Sequence, residues 1–339
     1  MNLRTPARIA AVCAALVAAA AGLGIAASWA PDVPVEALTA RWAPPPSSFV
    51  DVKGQKLHLR DEGRRDDPAP LVLIHGTSAS LHTWEGWVAA LKGTRRVITL
   101  DLPGFGLTGP NAADDYRTAT YVRFVLDTLD ALGVRRFVVG GNSLGGEVAW
   151  ELAVAAPERV ERLILVDAAG YAFRPDSLPI GFHLARTPGV NRLLEYTLPR
   201  RMLESSVRNV YGNPERVTPA LVDRYEALTL RAGNRRALAF RFSQLDFGAH
   251  AGSIATLRVP TLVLWGGRDR LIPPENGRRF QHDIPDACLV VFDDLGHVPQ
   301  EEDPQRTVAA VVDFLATPVP VRAPPAPPAI PGPATPTRR

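Results

Sequence analysis

The rhythm of apolar and polar positions changes several times along the 339 residues. From Ile9 to Ala27 the chain is uncharged and apolar without a break, preceded by Arg4 and Arg8. About 20 apolar residues suffice to cross a bilayer, and positive flanks stay on the cytoplasmic side. Residues 1–31 therefore read as a membrane anchor or signal segment, and 32–48 as a linker. From Phe49 to Leu59 apolar and polar residues alternate around Lys53-Gly54, the pattern of a half-exposed β-hairpin. Short, fully apolar runs then alternate with helical stretches, among them Leu71–Ile74, Val97–Leu100 and Leu163–Val166. Val122, Val125, Leu126 and Leu129, and later Val308, Val311, Val312 and Leu315, carry the spacing of helices with one buried face. Together these predict a parallel sheet covered by helices on both faces. Between Tyr171 and about Ala251 the strand rhythm stops, and helix-forming stretches are punctuated by prolines. From Thr317 to Arg339 Pro and Ala dominate, a composition that predicts a disordered tail.

The candidate chemistry lies where apolar runs end. Gly141-Asn142-Ser143-Leu144-Gly145 follows the run Phe137–Val139 and precedes an alanine-rich helical stretch. A serine at so sharp a strand-to-helix turn has its hydroxyl exposed, and side chains two residues either side would meet neighbouring backbone. A serine nucleophile needs a base and an orienting acid. Thr261–Trp265 reads as a strand leading to Asp269, and Leu289–Phe292 as one leading to His297. An alternative acid, Asp167, ends the run before it. His297 alone among the seven histidines lies between a late strand and a helix whose start Asp303-Pro304 marks.

The chain order Ser143, Asp269, His297 resembles that of the α/β-hydrolase superfamily, in its serine esterase and lipase branch with a helical lid. The resemblance runs from about Phe49 to Ala316 and includes His75-Gly76-Thr77-Ser78 after a strand and the turn Asp101-Leu102-Pro103-Gly104-Phe105-Gly106. It implies an α/β fold, a mostly parallel doubly wound sheet with a lid inserted after strand 6, at about 171–251, in a domain spanning 49–316. It also implies catalytic Ser143, Asp269 and His297, with an oxyanion hole made by the backbone N–H groups of Thr77 and Leu144. His75 precedes the serine and is expected to brace its loop. In the lid, His183, His250 and Phe173, Phe182, Leu184, Leu193, Leu194, Tyr196, Leu198 and Met202 are candidates to line a pocket. The implied activity is hydrolysis of a carboxylic ester through an acyl-enzyme. Carbon–carbon hydrolysis of meta-cleavage products is the alternative. It shares the Gly-Asn-Ser elbow, but its members typically carry a glycine-rich loop after His-Gly and an aromatic residue after the catalytic histidine, where this chain has Thr77–Ser80 and Val298. A non-catalytic ligand-binding or partner-binding relative is a third reading, disfavoured because the triad is complete.

Charge and cysteines add limits. The formal net charge of +3 stems from arginines at the two ends, so the body is near neutral and presents no footprint for nucleic acid. There is no phosphate-binding Gly-rich loop, no H-E-x-x-H and no Cys/His cluster at zinc spacing, so neither cofactor nor metal is expected. Of two cysteines, Cys13 lies in the leader and Cys288 in the body, which leaves no intradomain disulfide. The expected partners are a small apolar ester and, through the first segment, a membrane. An uncleaved anchor holding the domain in the periplasm or outside the cell is favoured over secretion after cleavage near Trp29, because the apolar run exceeds what a signal needs. A chain starting near Phe49 would then keep every residue assigned to the chemistry.

Overall fold

The computed structural model describes residues 4–187 and 189–318, so the tail expected from residue 317 lies almost wholly outside the described residues. The apolar N-terminal run is one helix, α1 (Arg4–Ala27). Its stretch Arg8–Ala27 is long and apolar enough to span a bilayer, and none of it is buried in the body.

Residues 32–48 are not a linker. Val35–Trp42 is a second helix, α2, which buries Leu38 beside Leu107 and Leu228. Trp42 O accepts a hydrogen bond from His82 Nε2 at 2.8 Å. Val35, Leu38 and Trp42 do carry helical spacing, but the segment is only two turns long and runs into Pro44-Pro45-Pro46, so its composition resembles a spacer. The chain before it is also bound: Ala30 N donates to Tyr196 O at 2.9 Å and Val33 N to Leu230 O at 2.7 Å.

Eight strands form one sheet in the order β1-β2-β4-β3-β5-β6-β7-β8. They are β1 (Ser47–Val52), β2 (Gln55–Gly63), β3 (Leu71–Ile74), β4 (Arg96–Leu100), β5 (Phe137–Asn142), β6 (Val160–Val166), β7 (Thr261–Gly266) and β8 (Ala287–Phe292). β1 and β2 form the expected hairpin, with φ of 51° at Lys53 and 86° at Gly54, the positive pair that suits a two-residue turn. β2 joins β4 antiparallel, and every later pairing is parallel.

The parallel strands feed two cores because successive side chains point to opposite faces. In β3, Leu71 and Leu73 pack with Trp84, Trp87, Val88, Val308 and Val311 on one face. Val72 and Ile74 pack with Val125, Val139, Val148 and Leu165 on the other. The covering helices are α3 (Glu85–Leu91), α4 (Thr118–Ala131) and α5 (Leu144–Ala155), then α11 (Glu275–Asp283), α12 (Pro299–Glu302) and α13 (Pro304–Ala316) after a helical insertion. Asp303 Oδ1 caps α13 by accepting from Arg306 N, with Pro304 in the first turn. Val312, expected on the buried face of α13, is 47% exposed.

The insertion falls between β6 and β7, as expected. It comprises α6 (Ile180–Ala185), α7 (Val190–Leu194), α8 (Arg200–Val210), α9 (Pro219–Thr229) and α10 (Asn234–Ser243).

Because α2 buries Leu38 and supplies an acceptor to His82, a chain beginning at Phe49 is expected to fold with a melting temperature lower by roughly 5 °C or more than one beginning at Ser28. Equal melting temperatures would show that the segment contributes no stability.

Candidate active site

Strand β5 turns directly into helix α5, and Ser143 occupies the corner at φ 55° and ψ −116°. A non-glycine residue in so sparse a region is strained by about 1–3 kcal/mol, and surrounding packing must hold it there. A Cβ on Gly141 would lie 2.0 Å from the Gly145 carbonyl oxygen, and one on Gly145 would lie 2.1 Å from that of Ile74. Backbone clearance therefore requires both glycines of the motif. Ser143 N donates to Val166 O at 3.0 Å, and Ser143 O accepts the amides of Glu147 and Ala169, which ties the corner to β6 and its following loop.

The two amides expected in the oxyanion hole border the same cavity as Ser143. Leu144 is the first residue of α5, so its N–H has no intrahelical acceptor and carries the partial positive charge of a helix N-terminus. Thr77 is reached through Gly76, where an added Cβ would come 3.1 Å from Ser143 Cβ. His75 braces that loop: its Nε2 accepts from Leu102 N at 3.0 Å, and its Nδ1 donates to Gly76 O at 2.7 Å. Burial holds the His75 pKa below its ordinary value, consistent with a neutral ring in this tautomer.

His297 lines the cavity beside Ser143, and its Nδ1 donates to Asp269 Oδ2 at 2.7 Å. Asp269 is held in turn, with Oδ1 accepting from Leu271 N at 2.8 Å and Ile272 N at 3.0 Å. Asp167 is close by, and one polar side-chain atom from each of Asp167, Asp269 and His297 lies within 4.8 Å of the others. Its Oδ1 accepts from Gly266 N, while Oδ2 is buried without a partner. Burial, and then the charge of Asp269, push the Asp167 pKa well above its ordinary value. Two neighbouring buried carboxyls do not both ionise readily, and it is Asp167 whose carboxyl is pushed toward its protonated form.

Three further polar side chains tie this arrangement together, and of them only Asn142 falls within a short motif, the elbow itself. Asn142 Nδ2 donates to His297 O at 2.9 Å and Val166 O at 3.1 Å. Glu302 accepts from Gly296 N, Gly212 N and Asn213 N, joining the histidine loop to the segment after α8. On the cavity wall Glu147 accepts from Arg241 Nη2 at 3.3 Å, and burial pushes its pKa up to about 7 against the opposing charge of Arg241.

The cavity over Ser143 has a volume of about 290 Å³. Phe173, Phe182, Leu194, Leu198 and Met202 line it, joined by Phe242 and Leu238 of α10. Leu184, Leu193 and Tyr196 do not border it, and neither do His183 and His250; His250 instead pairs with Glu151 at 2.9 Å. The α6–α10 segment thus divides into cavity wall and outer surface along lines that side-chain type alone does not reveal.

A model of the alpha/beta hydrolase fold family matches residues 69–304. The chain is 32% identical over 275 residues to a 2-hydroxymuconate semialdehyde hydrolase of Pseudomonas putida, covering 78% of this chain and 92% of the relative. A meta-cleavage product hydrolase from Pseudomonas fluorescens IP01 superposes with a TM-score of 0.68 at 28% identity, covering 79% of this chain and 97% of that one. A membrane phospholipase A described as a bacterial virulence factor also superposes at 0.68, with 25% identity; it covers 92% of this chain and 97% of its own.

Asp269→Asn is expected to lower kcat by roughly 10⁴ because the histidine loses its orienting charge. Asp167→Asn, which resembles the protonated acid already there, should cost less than about tenfold. The reverse ranking would move the acid to Asp167.

Glu147 makes a pH prediction. Its folded pKa lies above the ordinary value of 4.5, so between about pH 4.5 and 7 the folded state keeps a proton that the unfolded chain has released. Stability should therefore fall across that window as pH rises, by up to about 3 kcal/mol. Melting curves should show Glu147→Gln gaining on the wild type from pH 4.5 to 7; a pH-independent difference would contradict this.

Proposed function

The chain belongs to the α/β-hydrolase fold family, and within it we propose a serine hydrolase that cleaves carboxylic esters with apolar acyl chains through an acyl-enzyme. The observation that supports this reading best is the cavity, which borders Ser143 and is walled by apolar lid side chains. An acyl chain of several carbons fills such a wall favourably, at about 0.8 kcal/mol per buried methylene.

In the proposed cycle His297 Nε2 takes the proton of Ser143 as its oxygen bonds the ester carbonyl carbon. Asp269 stabilises the imidazolium through Nδ1–H, and the amides of Thr77 and Leu144 receive the oxyanion, each worth about 3 kcal/mol. Collapse breaks the carbon–oxygen bond, and His297 returns its proton to the departing alcohol. Water then hydrolyses the acyl-enzyme by the same steps. The lid is proposed as residues 171–251, excluding bulk water during both halves. Helix α1 is proposed as an anchor that holds the catalytic body at the outer face of the membrane. The similarity to a membrane phospholipase A that spans 92% of this chain supports this placement.

A second reading has its own support. The relative named as a 2-hydroxymuconate semialdehyde hydrolase is 32% identical, and such chemistry breaks a carbon–carbon bond with the same elbow.

Nitrophenyl esters of two to sixteen carbons, assayed beside a ring-cleavage product, separate the two. Esters of six or more carbons are expected to give the higher kcat/KM, and Ser143→Ala should lower it by roughly 10⁶ with the fold retained. Turnover of the ring-cleavage product with esters untouched would select the carbon–carbon reading.

A further inference from the structure

Arg235 is an arginine buried in the wall of the catalytic cavity and left with donors unpaired. It lies in the first turn of α10, is 6% exposed, and borders both the cavity over Ser143 and a side recess lined by Ser78 and Ala79 of the oxyanion loop. Among the described residues only its Nη2 finds a partner, Asp32 Oδ1 at 2.7 Å, while Nε and Nη1 are buried with none. Asp32 Oδ2 also accepts from Gly233 N at 2.9 Å, which fixes the start of α10 and hence the place of the guanidinium.

The pair is electrostatically lopsided. The Asp32 side chain is 43% exposed and that of Arg235 is 5%, so water screens the negative charge far more than the positive one. The cavity therefore keeps an excess of positive potential at this wall. Arg241 on the same wall also has a buried Nε without a partner, but a buried carboxylate faces it, whereas Arg235 has two such donors and an exposed counter-ion. Arg224 is taken up by Glu301 and Glu85, Arg241 is matched by Glu147 and Tyr116 O, and Arg186 is exposed. Unsatisfied N–H groups on a buried cation call for an acceptor from outside the chain, and oxyanions form the strongest such bonds.

We infer that Arg235 binds an anionic group, carboxylate or phosphate, carried by the ester substrate, with the group at the oxyanion-loop side of the cavity and the acyl chain along the apolar lid wall. The substrate is then an amphiphile with its scissile ester between an apolar chain and an acid. This deepens the ester reading and rests on it.

Matched substrates test it. One arm compares 1-lauroylglycerol with 1-lauroylglycerol 3-phosphate, and the other compares O-lauroylglycolic acid with its amide. The wild type is expected to favour at least one anionic member by tenfold or more in kcat/KM, mostly through KM, and the favoured arm tells phosphate from carboxylate. Arg235→Gln should abolish that preference while leaving the neutral ester within threefold, and Arg235→Lys should keep part of it. Asp32→Asn, which leaves the arginine and removes its counter-charge, should enlarge the preference; this variant still decides the matter if Arg235→Gln does not fold. Neutral esters turned over with no anionic preference, or equal losses on both members in Arg235→Gln, would overturn the inference and leave the ester reading intact. No turnover of any ester would overturn both.

Discussion

Backbone packed against backbone at the end of β5 is the constraint on which the site depends. The two glycines flanking Ser143 leave room for carbonyl oxygens that an added Cβ would approach to about 2 Å. Without that clearance α5 could not start immediately after β5, and Ser143 would not be held at φ 55°. The same clearance lets α5 approach the backbone of Ile74 and His75. A small and local strain thereby places Ser143 on the cavity that Thr77 and Leu144 also border, and the core on both sheet faces keeps it from relaxing.

The two carboxyls beside His297 differ in their surroundings. Asp167 and Asp269 end neighbouring parallel strands, so the sheet itself places them together. Three hydrogen bonds hold Asp269, two from amides and one from His297, whereas Asp167 has one amide and a buried oxygen without a partner. Hydrogen bonds to the charged form favour ionisation, and burial without them opposes it.

Features governed by local sequence were legible before the structure. Strand and helix rhythm, the Lys53-Gly54 turn, the elbow glycines, the Asp303 cap and the order of Ser143, Asp269 and His297 each leave a short signature. What stayed hidden is carried by contacts between distant positions. Asn142 meets His297 across 155 residues and Glu302 meets Gly212 across 90, and neither stretch announces its partner. Helix α2 was missed because it is two turns long beside a proline run, and its stabilisation comes from Leu107 and Leu228 rather than from its own sequence. The partition of α6–α10 into cavity wall and outer surface is likewise a tertiary property: Leu194 and Leu193 are neighbours in the chain, yet only Leu194 borders the cavity.

The central claim is that this geometry makes Ser143 a nucleophile activated by His297. A fluorophosphonate followed by intact-mass and peptide analysis tests it without any assumption about substrate, because the reagent reports the activated hydroxyl itself. One adduct per chain, located on the peptide containing Ser143 and formed at least a hundredfold more slowly in His297→Ala, is the predicted result. An unmodified chain, or an adduct on a different serine, would contradict the account.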